Sequence, residues 1–110
     1  MTIRTISVAN EFSPSPAGRF VDDGPYPGEL FRVNFLLPAL KDEERVLVDL
    51  TGTELPGSSF LEEAFGGLIR AGLTEEFLRS HLEVHSSRES DSIRVWRFVR
   101  EAASRGSRMH

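Results

Sequence analysis

The 110-residue chain predicts an α/β fold, a sandwich in which a mixed sheet of four to five strands carries about four helices. Three observations predict it. Val46 to Leu50 is a β-branched and leucine run of the kind that makes a buried strand of a parallel sheet. A turn punctuated by Thr51, Gly52, Pro56 and Gly57 then leads into an amphipathic helix, with Leu61, Ala64, Phe65, Leu68 and Ile69 at helical spacing. Elsewhere, short strand patterns alternate with helical patterns of roughly 10–15 residues, the rhythm of strand–helix–strand units.

Taken in order, Thr2 to Val8, with Ile3, Ile6 and Val8 apolar, reads as the first strand. Ser13 to Gly28 holds Pro14, Pro16, Gly18, Gly24, Pro25 and Pro27, so it reads as turn and extended chain with one short strand at Arg19 to Val21. Connections longer than about 12–15 residues are seldom idle in compact domains, which makes Arg19, Asp22, Asp23 and Tyr26 candidates for a ligand or partner contact. Glu29 to Lys41 is helical, with Leu30, Phe31, Phe35, Leu36, Ala39 and Leu40 on its apolar face. Pro38 lacks the ladder N–H and crowds the preceding turn, so a kink or a break with a fresh start is expected near Leu37. Asp42, Glu43 and Glu44 read as a solvated loop.

Ser59 is the expected N-cap of the central helix, with Glu62 three residues on reaching back to the cap's own N–H in a capping box. Gly66 and Gly67 are costly inside a helix, so the missing side chains must allow a close approach, either to the sheet or to a partner. Gly72 ends this helix and Thr74 caps a short one running to Ser80. Leu82 to His85 is a strand. Ser90 or Asp91 caps a last helix running to Ala103, with Val95, Trp96, Val99 and Ala102 inward and Arg94, Arg97 and Arg100 on an outer, solvated face. Residues 1–103 thus form one domain, and 104–110 a flexible C-terminal tail.

Composition narrows the function. The apolar share of 39% and charged share of 27% are those of an ordinary globular domain, large enough to fold without metal or disulfide. There is no cysteine, so the chain has neither a disulfide framework nor thiolate chemistry. A net charge of −4 argues against nucleic acid and anionic membranes. No stretch approaches the ~20 apolar residues of a span, and the N-terminus lacks a basic flank before an apolar core, so a cytoplasmic location is expected.

Catalytic signatures are mostly absent. There is no phosphate-binding loop ending in Lys-Ser or Lys-Thr and no dinucleotide fingerprint. Pro56-Gly57-Ser58-Ser59-Phe60 lacks the flanking glycines of a nucleophile elbow. His81, Glu83 and His85 alternate, so on a strand they share a face that suits zinc, but spacing signals no fourth ligand; no metal and no cofactor are expected. Glu62 and Glu63 are adjacent, about 100° apart on a helix, and so do not make a shared carboxylate pair for catalysis.

The candidate site is therefore the loop and helix start at 51–61. Unpaired N–H groups and the helix dipole favour negative charge there, and a phosphate on Ser58 or Ser59 fits. Asp49, closing the strand, either orients a hydroxyl or partner group or satisfies loop N–H groups. Thr51, Gly57, Ser58, Ser59, Phe60, Glu62 and Glu63 complete the expected partner-binding surface.

The order of hydrophobic strand, Asp49-Leu50-Thr51-Gly52, loop, Ser58-Ser59 and apolar helix resembles the central segment of STAS domains, the fold of anti-sigma-factor antagonists and of sulphate-transporter tails. The chain is more similar still to a bacterial STAS-like family of unknown function. Gly18-Arg19 before the first helix, Gly28-Glu29 with Phe31-Arg32 at its start, and Ser58 to Leu68 carry that similarity. The resemblance implies a STAS-like sandwich and a non-catalytic, regulatory protein-interaction module. It further implies a histidine-kinase-like ATPase as partner and phosphorylation at the second serine, Ser59. Antagonists usually have an aspartate before the serine pair, where this chain has Gly57. The rival readings are a small-ligand or nucleotide sensor using Arg19 or Arg32 to neutralise phosphate, and a small enzyme using Asp49, Ser59 and Glu62 or Glu63.

Overall fold

The structure, a computed structural model, describes residues 2–43 and 45–108. Three strands, β1 Ile3–Ser7, β2 Arg45–Asp49 and β3 Leu82–His85, form one sheet in the order β1-β2-β3, and both pairings are parallel. The expected mixed sheet of four to five strands is thus, among the described residues, a parallel sheet of three. Arg19 to Val21 is no strand. The Asp23 carboxylate accepts from the N–H groups of Arg19 (3.1 Å) and Phe20 (2.8 Å), winding the chain into a 3-10 turn at Val21–Asp23.

Parallel neighbours in sequential order require crossovers, and right-handed crossovers stepping in one direction lay their helices on one face of the sheet. Burial follows that rule. Ile6, Val46, Val48, Leu82 and Val84 are buried, while Thr5, Arg45, Glu83 and His85 on the opposite face are exposed. The result is a two-layer sandwich with one open sheet face.

Helix α1 is continuous over 28–42, built from Gly28–Phe31, a π-helical turn Arg32–Leu36 and Leu37–Asp42. Pro38 does not break it. The widened turn, closed by Leu37 N–H on Arg32 C=O, falls just before the proline and keeps Leu36 and Leu37 helical. Helix α2 spans 58–70 in the same manner, with Ser58–Leu61, a π-helical turn Glu62–Gly66 and Gly67–Arg70. Its start differs from expectation. Ser58 is already helical, Gly57 sits at the cap with extended backbone, and no side chain caps the helix. Ser59 is therefore not the N-cap, and the Glu62 carboxylate turns to arginines instead of to a cap N–H.

The C-terminal signals of α2 hold. Leu73 N–H reaches Leu68 C=O (3.1 Å) and Gly72 N–H reaches Ile69 C=O (3.0 Å), the Schellman pair, with Gly72 at φ 110. Thr74 Oγ1 accepts from Phe77 N–H at 3.0 Å and caps α3, Glu75–His81. Helix α4, Glu89–Arg108, extends past Ala103 to include residues 104–108, while 109 and 110 lie outside the described residues. Val95 and Val99 are fully buried and Ala102 nearly so, as their spacing predicts. Arg94 departs from the solvated row, since it is held by Asp91 and by Pro56 C=O.

The core lies between the sheet and these helices. Phe12, Phe31, Phe35, Phe60 and Phe65 meet ring to ring at centroid separations of 5.2–6.5 Å, joining the turn after β1 to α1 and α2.

Candidate functional site

The loop between β2 and α2 is held from three sides. Asp49 Oδ1 accepts from Thr51 N–H (2.9 Å), so Asp49 satisfies the loop backbone, one of its two expected roles. Thr53, buried, donates its hydroxyl to Leu50 C=O (2.6 Å). From the far end of the chain, Arg88 donates to Thr53 C=O (3.0 Å) and Arg94 to Pro56 C=O (3.0 Å). Both arginines are fixed by Asp91, a fully buried carboxylate that also accepts from Ser86 Oγ at 2.7 Å. On this platform Thr51, Gly57, Ser58 and Ser59 are exposed, as is Leu55. Phe60 is not. It is wholly buried among Phe12 and Phe31, one helical turn before Ala64 on the same buried face of α2.

One turn further along α2, Glu62 and Glu63 are buried, contrary to their expected place on a partner surface. Each carboxylate is taken up by arginines, Arg19 and Arg32 from outside α2 and Arg70 from its last turn. Glu63 accepts from Arg32 (2.5 Å), and Glu62 accepts from Arg19 and from both terminal nitrogens of Arg70 (2.8 and 3.0 Å). Arg19 and Arg70 bridge the two acids, reaching Glu63 at 3.4 and 3.2 Å. Arg105 on α4 stands 3.8 Å from Glu62. The pair is therefore shared after all, through common guanidiniums and not through a common proton. Both acids lie at the start of the π-helical turn Glu62–Gly66.

The glycines make the room. A Cβ at Gly66 would run into the Glu62 carboxylate, and one at Gly67 into the Arg32 guanidinium. Close approach, expected here toward the sheet or a partner, is thus toward an ion cluster. Arg19 and Arg32, expected as phosphate-neutralising residues, have these carboxylates as partners already. Arg19 also ties down the long connection, whose Gly18 and Arg19 carbonyls accept from the Gly28 and Glu29 N–H groups (both 3.0 Å).

Burial alone pushes the Glu62 carboxyl upward, but hydrogen bonds from Arg70 and Arg19, with their charges, outweigh it and hold the group below its ordinary 4.5. A carboxylate with a lowered folded-state pKa contributes stability that is complete above the unfolded value and disappears as pH falls through the folded one. The thermal midpoint should therefore fall once pH drops below about 4.5, and Glu62→Gln should flatten that decline. Circular dichroism melts across acid pH check this.

Of the other predicted positions, Tyr26 packs edge-on against Phe12 (5.4 Å), and Asp23 serves its own loop. His81 leaves the proposed zinc face, because it ends α3 and stacks on Phe77 at 4.1 Å. Glu83 and His85 do share a face, 3.6 Å apart, but among the described residues no three His, Asp or Glu side chains converge. Sequence reading missed Arg70, Arg88 and the buried Asp91. The available signal was a charge recurring at three-residue spacing, Arg88-Asp91-Arg94, at the start of an otherwise amphipathic helix.

Among curated proteins and among solved structures, none matches this chain. A family model described as a STAS-like domain of unknown function (DUF4325) matches residues 27–91, which take in α1, β2, α2, α3 and β3. The residues that carried the resemblance meet in space. Arg19, Arg32, Glu62 and Glu63 form one ion cluster beside the serine-bearing turn. With more than half of its length matched, the chain belongs to the family of STAS-like domains of unknown function.

Proposed function

We propose that this chain is a non-catalytic regulatory module, similar in role to anti-sigma-factor antagonists, that docks a protein partner through residues 51–61 and is switched by phosphorylation at Ser59 or Ser58. One observation carries this reading: two exposed serines occupy the first turn of α2, after a loop held in place by Asp49 of β2, by Arg88 and by Arg94 of α4. A phosphate there adds roughly −1.5 to −2 charges next to uncapped N–H groups, changing a docking surface without touching the core. Exposed Leu55, 67% accessible, supplies an apolar contact in the same loop. By resemblance the partner is a histidine-kinase-like ATPase, met in the cytoplasm.

The surroundings favour docking over catalysis. The carboxylates an enzyme would need are committed elsewhere, Asp49 to a backbone N–H and Glu62 and Glu63 to arginines. Nucleotide sensing is disfavoured by the depression of about 450 Å³ at the carboxyl ends of β2 and β3, which is lined by Asp49 and Glu89, carboxylates that repel phosphate. Ser59→Ala and Ser59→Asp should recover different amounts of the same partner in pull-downs from the source cell. Equal recovery of every partner by both variants would remove the switch.

A further inference from the structure

The two edges of the sheet are treated differently. Thr2 C=O accepts from Arg45 N–H (3.1 Å), so along β1 the even-numbered residues face β2 and the backbone groups of Thr5 and Ser7 face outward. Both of those residues are served. Arg4 donates to Thr5 C=O (2.6 Å), Glu11 accepts from Ser7 N–H (2.8 Å), and Arg4 and Glu11 pair with each other at 2.6 Å. Charged side chains blunt this edge against further strands.

At the other edge, His85 C=O accepts from Leu50 N–H (2.7 Å), so Glu83 and His85 turn their backbone groups toward β2 and Val84 turns its own outward. Among the described residues there is no strand beyond β3, and no hydrogen bond reaches the Val84 N–H or C=O. Unpaired backbone groups on an edge need water or another strand.

We propose that β3 pairs antiparallel with β3 of a second copy of this chain, about a twofold axis at Val84, joining two sheets of three into one of six. This surface is separate from the 51–61 loop and does not depend on its function. The edge is self-complementary in that register. Val84 faces its counterpart, and the outward N–H and C=O of each satisfy those of the other, the hydrogen-bonded pair of an antiparallel ladder. The neighbouring positions then set Glu83 opposite His85 of the second copy, twice, on the open sheet face. Both side chains are 56% exposed and stand 3.6 Å apart within one chain, and exchanging that contact for an imidazole N–H facing a carboxylate across the strands gives a favourable cross-strand pair. A twofold interface requires just this: residue i meets j, and j meets i. An arbitrary partner's strand would not be bound to carry that pattern.

The absence of cysteine makes the test clean. Glu83→Cys and His85→Cys variants of the full chain, mixed and oxidised, should form a mixed disulfide much faster than either variant alone. Opposed residues of that non-hydrogen-bonded pair lie about 4.5 Å apart at Cα, within disulfide reach, whereas same-variant pairs are offset along the strands. Sedimentation of the unmodified chain should show a dimer that grows with concentration. His85→Glu should weaken self-association by about tenfold or more by placing like charges opposite each other, and Glu83→Arg in the same chain should restore it. All these changes are at exposed positions, and melting curves verify folding. A monomer at every concentration, no excess of mixed disulfide, or association indifferent to His85→Glu would overturn the proposal.

Discussion

Glu63→Ala is expected to lower the unfolding free energy by about 3–5 kcal/mol, the cost of removing one partner from a buried ion pair. The residue itself explains little of that. What matters is Arg32, whose side chain is only 14% exposed and whose guanidinium donates to both the Glu63 carboxylate (2.5 Å) and the Glu63 carbonyl (2.8 Å). Without the carboxylate, a guanidinium remains under Gly67 with one carbonyl to meet its charge, in a site too confined for free hydration. Glu62→Ala should cost less, because its main partner Arg70 is 45% exposed and Arg105 is 62% exposed, so water can replace the lost acid. Urea titrations of the two variants compare them directly. A Glu63 variant no less stable than the Glu62 variant would show that the cluster is held by solvent screening and not by burial. The cluster also fixes the long connection through Arg19, so Glu63→Ala should loosen residues 17–28 in hydrogen exchange while β2 and β3 stay protected.

Those charges show where sequence reading succeeds and where it stops. β3, the Thr74 cap and the Gly72 turn were legible because each is written locally: an apolar alternation of four residues, a hydroxyl three positions from its N–H, a glycine with φ 110. Leu61, Ala64, Phe65 and Leu68 were equally plain on a helical period. Glu62 read as the far half of a capping box and both acids as part of a partner-binding surface, and nothing near them in sequence contradicts it. Their burial depends on Arg19 and Arg32, some 31 to 44 positions away, which meet them only once α1 lies across α2. The π-helical turns inside α1 and α2 were hidden for a related reason. A wide turn has no composition of its own, and here one sits against Pro38 and the other against the ion cluster. The glycine pair was the accessible clue, because it announced that something bulky lies against α2 without saying what. The serine loop lies between these cases. Its exposure follows from turn residues, but the arginines that hold it, Arg88 just before α4 and Arg94 within it, lie far along the chain.

Gly28→Ala should be about as damaging as a poorly tolerated core enlargement, near the upper end of the roughly 1–3 kcal/mol typical of overpacking. Helix propensity alone predicts the opposite sign, since alanine is favoured over glycine by up to roughly 1 kcal/mol in a helix, the full amount applying to its interior and Gly28 being the first residue of α1. Packing decides. A Cβ on Gly28 would lie 2.5 Å from Phe60 C=O and 2.9 Å from the Ala64 nitrogen, and these are backbone atoms of α2 that no rotamer change can move aside. Relief requires α1 to back away from α2, and that motion carries Phe31 off Phe60 and Phe65 and draws Arg32 away from Glu63. A single methyl group therefore acts on the aromatic core and the ion cluster together. Gly106→Ala is the matched control. It lies in α4 with nothing within 4 Å of the added carbon, so it should be neutral or up to about 1 kcal/mol stabilising. Chemical denaturation of both variants reads out the contrast. If Gly28→Ala is as stable as the parent chain, then α1 and α2 are not in backbone contact, and the account given for Arg32 and Glu63 loses the geometry that it rests on.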